Sequence, residues 1–159
     1  MLEWTVDGHE PGETLRFEAP RQVRVRARAS SQFPLQSLEL LLNGKVVLTN
    51  TAAGSVKELV LEQEVKLDQA GWLAVRCTGG NRSVPGGLML VAHGNPVYVE
   101  MPGHAFDARA DAEYFLAWLE RLEGDLKKRD RIPVGLERVQ TQLDTARAVY
   151  RRLAEGVSR

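Results

Sequence analysis

"QSLELLLNGKVVLT", residues 36–49, decides the fold. Two strand-forming runs, "QSLELLL" (36–42) and "KVVLT" (45–49), meet at Asn43-Gly44. Both residues of that dipeptide tolerate positive φ, which the tight two-residue turn of a hairpin requires. The stretch therefore predicts an antiparallel hairpin. The chain on either side repeats the pattern, with short alternating runs divided by turn residues.

Upstream, "LEWTV" (2–6) enters the Gly/Pro turn "DGHEPGE", followed by "LRFEA" (15–19) and "QVRVRARA" (22–29). In the last run Val23, Val25, Ala27 and Ala29 share one face. Downstream, "VKELVLEQEVKL" (56–67) sets Leu59, Leu61, Val65 and Leu67 on one side, and "GWLAVRCTG" (71–79) does the same with Leu73, Val75 and Cys77. After the loop "GNRSVPGG", the run "LMLVAHGNPVYVE" supplies one or two final strands. Roughly seven to nine strands over about a hundred residues predict a mainly β fold, an immunoglobulin-like antiparallel β-sandwich over residues 1–104.

The pattern changes near residue 105. "DARADAEYFLAWLERLEGDLKKRD" carries Ala112, Phe115, Leu116, Leu119, Leu122 and Leu126 at helical spacing. Asp107 is placed to cap a helix over 107–128, and Pro133 suits the first turn of a second helix over 134–155. There Leu136, Val139, Leu143, Ala146, Val149, Tyr150 and Leu153 form a stripe that ends at Gly156, a C-terminal cap position. Residues 105–159 are thus expected to form an antiparallel helical hairpin, docked on the sandwich as one compact unit.

Composition narrows the function. The 159 residues hold 21 Lys+Arg and 21 Asp+Glu, so nothing electrostatic points to nucleic acid or to an anionic membrane surface. No apolar run is long enough to insert into a bilayer, and "MLEWTVDGHEPG" is no signal peptide. The single Cys77 leaves no intramolecular disulfide and no cysteine-based zinc site.

Arg24, Arg26 and Arg28 resemble a nucleic-acid strip. Without interleaved aromatics they are expected instead to pair with Glu58, Glu62 and Glu64 across a solvated sheet face. His9, His93 and His104 lie in a turn, a strand and a loop, with no second ligand at a useful spacing, so no metal centre is expected. In "GHAFDARAD", helix capping accounts for Asp107 and Asp111 beside His104. Nucleophile-elbow, phosphate-loop and dinucleotide motifs are lacking, and Cys77 shares parity with core residues, where a thiol is inert. No catalytic residue and no cofactor is assigned.

Tyr114 and Trp118 are expected to pack against the sheet. Trp72, Trp118, Tyr98, Tyr114 and Tyr150 together suggest a sugar-stacking platform with a structural role as the rival reading, and Trp72, sharing parity with Arg76, is the better candidate for an exposed stack. In "AHGNPVYVE" (92–100), Asn95-Pro96 and Gly94 mark a break between two strand segments. His93 is read there as a hydrogen-bonded structural residue, with ligand binding as the alternative. Trp72, Arg76 and His93, with the 79–87 loop, are the candidate ligand-contacting residues.

The succession "WTVDGHEPGETL", "LELLLNGKVV", "GWLAVRCTG", "AHGNPVYVE", "DAEYFLAWLERL" and "ARAVYRRLAE" resembles the C-terminal region of CehA/McbA-type metallohydrolases, of the PHP-domain group. The resemblance runs the length of the chain. It implies a bacterial protein whose metal-binding catalytic domain lies upstream and carries the histidine and aspartate ligands. None of that domain is in this sequence, and where the family often has Ser or Thr after the histidine this chain has Gly94. It also implies that Met1 is an introduced start, that the parent is secreted or periplasmic, and that any signal peptide precedes residue 1. On this reading the chain is a non-catalytic accessory domain of a larger metal-dependent hydrolase, with the upstream catalytic domain as its partner. The alternative is an independent module binding carbohydrate or another cell-surface ligand.

Overall fold

The computed structural model describes residues 1–79, 90–129 and 135–156. The chain divides into two compact units, Met1–Phe106 and Asp107–Arg159.

Among its described residues the first unit holds β1 (Leu2–Val6), β2 (Thr14–Arg16), β3 (Arg21–Leu42), β4 (Lys45–Leu67), β5 (Gly71–Gly79), β6 (Val91–His93) and β7 (Val97–Glu100). The length of β3 explains the shape. Its 22 residues, laid straight, would reach about 70 Å. A domain of about a hundred residues has a radius of gyration near 13 Å, so the strand must bend. It does so where the ladder breaks, between Ser30 and Leu35 and again before Ser37. Pro34 donates no amide there, and the Phe33 amide turns to the Ser31 hydroxyl at 3.0 Å.

Each half of β3 has its own inner neighbour. β1 pairs with the first half, from Val6↔Val25 to Leu2↔Ala29. β5 pairs with the second, from Leu42↔Leu73 to Leu35↔Gly79. β4 follows β3 through both halves, breaking register around Gly54, whose φ of 121° suits glycine. The result is a curled sheet whose concave side holds one apolar cluster. Trp4, Val25 and Leu61 meet Leu38, Leu40, Leu73 and Val97 within it.

Three expectations change. Residues 22–29 and 36–42 form one continuous strand rather than two, and so do 45–49 and 56–67, because the bends are bulges and not turns. The strand at 15–19 is shortened to Thr14–Arg16. The all-antiparallel arrangement fails at β2, which pairs parallel to β7 through Leu15↔Val99. The long segment between them lets β2 arrive from the same end as β7.

The Asn43-Gly44 turn forms as expected, with φ of 50° and 80°. Asn43 does more than turn the chain. Its Oδ1 accepts the Trp72 amide at 2.8 Å and its own amide donates to the Trp72 carbonyl at 3.0 Å, tying the hairpin to β5. Gly71 leaves the space, since a Cβ there would fall 2.0 Å from that Oδ1.

The second unit holds α1 (Arg109–Arg129) and α2 (Leu136–Ala154). They pack through Phe115, stacked on Tyr150 at 5.1 Å, and through a Glu123–Arg147 ion pair. Asp107 accepts the Arg109 amide at 3.1 Å and grips the Arg109 side chain. Gly156, φ 77°, follows α2 and donates to the Leu153 carbonyl. Pro133 lies outside the described residues, and α2 opens after Gly135 instead of at 134.

Candidate interaction face

The outer face of β5 is built by alternation. Leu73, Val75 and Cys77 point into the core, so Trp72, Ala74, Arg76 and Thr78 point away from it. The neighbouring strands extend these positions into rows. Trp72 stands opposite Tyr98 of β7, and Arg76 lies between Glu39 of β3 and His93 of β6. Thr78 faces Ser37, with hydroxyls 2.8 Å apart.

Arg76 is held rigidly. Its Nε and a terminal nitrogen both donate to one Glu39 oxygen, at 2.8 and 2.5 Å. The Glu39 side chain is 18% exposed and that of Arg76 40%, so the pair is partly sheltered while the guanidinium keeps an open edge. Trp72 is half-buried and Tyr98 is 47% exposed. All three candidates, Trp72, Arg76 and His93, thus share one sheet face, and Arg76 and His93 are direct cross-strand neighbours. The companion Glu39 is not marked in the sequence, where nothing local signals a partner 37 residues away. The 79–87 loop lies, beyond Gly79, outside the described residues.

His93 is corrected. It was expected to be a hydrogen-bonded part of the corner, yet its side chain is exposed at the end of β6. The corner is built by its neighbours instead. Gly94 donates to the Val75 carbonyl at 2.9 Å, and the Pro96 carbonyl accepts the Gly12 amide at 2.8 Å. Gly94 is required by space, since a Cβ there would fall 2.6 Å from Trp4 Nε1.

The arginine ladder is a structural face. Arg28 pairs with Glu58 at 2.7 Å, and Glu62 takes both Arg26, at 3.0 Å, and Arg24. The Arg28 hydrogen bond holds the Glu58 carboxyl below the ordinary range, and those from Arg26 and then Arg24 do the same for Glu62. Glu64 stands opposite Arg24 in register, but that guanidinium goes to Glu62 instead.

Other reactive groups are dispersed. His9 pairs with Glu13 at 2.7 Å in the turn after β1, and the His104 carbonyl accepts the Ala70 amide in the turn after β7. Cys77 is buried, which pushes its thiol above the ordinary range, at the floor of a cleft of about 280 Å³ beside Phe33, Leu35 and Leu90. Among the described residues no three His, Cys, Asp or Glu side chains gather closely enough to hold a metal ion. No helix of the described residues is long and apolar enough to cross a membrane. Tyr114 and Trp118 lie on α1, Tyr114 with its ring edge-on to Phe115 at 5.4 Å.

No family model matches the chain, and no curated protein matches it. Among solved structures it is similar to one described as the fibronectin(III)-like modules of Clostridium thermocellum CbhA, at 16% identity and a TM-score of 0.38. The likeness covers 64% of this chain and 98% of that one. It is too loose to fix a fold family or a function.

Proposed function

We propose that the chain is a non-catalytic accessory module of a larger metal-dependent hydrolase of the PHP type. In this reading the curled sheet is an immunoglobulin-like sandwich, the helical hairpin is its appendage, and the catalytic domain upstream is its partner. One observation carries the accessory part: the groups able to do chemistry sit in separate turns or face the core, while the outward side of β5 holds a part-exposed guanidinium fixed by Glu39, with Trp72 and Tyr98 paired further along the same side. A rigid strand face of that composition suits binding, because its side chains lose little further freedom on contact. The hydrolase part rests on the resemblance of "AHGNPVYVE" and "DAEYFLAWLERL". The reading frame upstream of residue 1 tests it. A domain rich in paired histidines and aspartates is expected there, and a stop codon immediately upstream would overturn the assignment.

The Trp72–Tyr98 row favours a second reading, a module that binds carbohydrate independently. An aromatic face stacks on the C–H face of a sugar ring while Arg76, Glu39 and His93 offer polar groups for hydroxyls. Affinity electrophoresis through gels containing soluble polysaccharides separates the two readings. Retardation lost in Trp72→Ala supports sugar binding, and unchanged mobility in every gel rejects it.

A further inference from the structure

We infer that Asn50 keeps the outer edge of β4 from pairing with β4 of a second copy of this chain. The direction of the backbone groups comes first. The Arg24 carbonyl accepts the Asp7 amide, and the Ser30 amide donates to the Met1 carbonyl. The even-numbered residues of this half of β3 therefore turn their N–H and C=O groups toward β1, and the odd ones turn theirs toward β4. Val25, Ala27 and Ala29 meet Gln63, Leu61 and Leu59 there. The backbone groups of Glu58, Val60, Glu62, Glu64 and Lys66 thus point to the outer edge. Among the described residues β3 is the only strand that pairs with β4. An edge of that length is a template for a further strand.

Val60 interrupts the template. Its carbonyl accepts the Asn50 side-chain amide at 2.7 Å. Asn50 lies on the same strand beyond the corner at 52–55, which has no partner on β3. The side chain draws that corner back to the edge and takes the acceptor that an incoming strand needs. Charged side chains, the common defence of an edge, are largely committed here. Glu58 goes to Arg28, Glu62 to Arg24 and Arg26, and Lys66 to Asp68. The second copy is the occupant because the edge is complementary to itself. In an antiparallel pair about a two-fold axis at Glu62, Val60 stands opposite Glu64 and Glu58 opposite Lys66, so each outward amide meets an outward carbonyl. The Val60 carbonyl then receives the Glu64 amide, the bond whose place Asn50 occupies. The inference is independent of the accessory reading, because it concerns β4 alone.

Sedimentation velocity on the full chain, with amide hydrogen exchange on the same samples, tests it. Asn50→Ala is expected to self-associate about thirtyfold more tightly than wild type, since a two-fold contact relieves two such bonds. The associated variant should protect the amides of Val60, Glu62 and Glu64. Adding Glu64→Pro should return the constant to the wild-type value, because that amide faces outward and β3 loses no bond. Self-association of folded Asn50→Ala no tighter than wild type overturns the proposal, even if its melting point falls. So does association that leaves those three amides unprotected, or that persists with Glu64→Pro. The exchange pattern decides the matter if the proline variant does not fold.

Discussion

Gly94 lies against the indole of Trp4, so close that a Cβ on Gly94 would fall 2.6 Å from Trp4 Nε1 and 3.2 Å from Cδ1. Trp4 is 5% exposed, and its Nε1 has no hydrogen-bond partner among the described residues. The glycine is thus a spacer, closing the strand corner onto the largest ring of the core. It is not one of the glycines with positive φ, so backbone freedom is not what selects it. Gly94→Ala is expected to cost about 1–3 kcal/mol through overpacking. For a unit of this size each kcal/mol lowers the midpoint by about 4–8 °C. An unchanged thermal midpoint would show that the ring does not sit there.

Asn43 has two separable roles, turn residue and tether. Asn43→Gly keeps the turn but loses the bond to the Trp72 amide, and should cost about 0.5–1.5 kcal/mol. Asn43→Ala loses the tether and also strains a backbone whose φ is 50°, adding about 1 kcal/mol. Chemical denaturation of both variants checks the order. Equal losses would leave the turn conformation without energetic weight.

His93 and Arg76 face each other across β5 and β6, but their removal should differ. His93→Ala takes away an exposed side chain and should move stability by no more than about 0.5 kcal/mol. Arg76→Ala strands the sheltered Glu39 carboxylate and should cost about 1–2 kcal/mol. Guanidinium melts of the two variants side by side distinguish them. A larger loss for His93→Ala would reinstate a structural role for the histidine.

Asp107 offers a pH test. The Arg109 side chain, and after it the Arg109 amide, hydrogen-bond its carboxylate and depress it to about 2. A depressed carboxyl adds stability that is present above its unfolded value, near 3.9, and is lost as pH falls through about 2. The start of α1 should therefore stay capped at pH 3. An NMR titration of the Asp107 carboxyl with a midpoint near 4 would break the cap.

Local signals were legible and distant ones were not. The Asn43-Gly44 hairpin, the ends of β1 and β5, and the inward set Leu73, Val75 and Cys77 follow from turn chemistry and alternation within a few residues. The continuity of β3 was hidden because Ser31 to Pro34 has the composition of a turn, and only pairing with β1 and β5 makes it a bend. The parallel match of Leu15 with Val99 and the Gly94–Trp4 contact join residues more than eighty positions apart, beyond any periodicity. The candidate face shows the same division. Trp72 and Arg76 share parity and could be paired by counting, whereas Glu39 and Tyr98 were brought beside them by the sheet.

Binding between this chain and the catalytic domain proposed to lie upstream is the most direct test of the accessory assignment. The metal-loaded catalytic domain, produced separately, would be titrated with the full chain by calorimetry at about 50 µM. Saturable binding with one chain per catalytic domain, weakened about tenfold or more by Arg76→Ala or Trp72→Ala, is the predicted result, in keeping with anchors of Trp and Arg type. Heats no larger than dilution, with both proteins folded, would contradict the account.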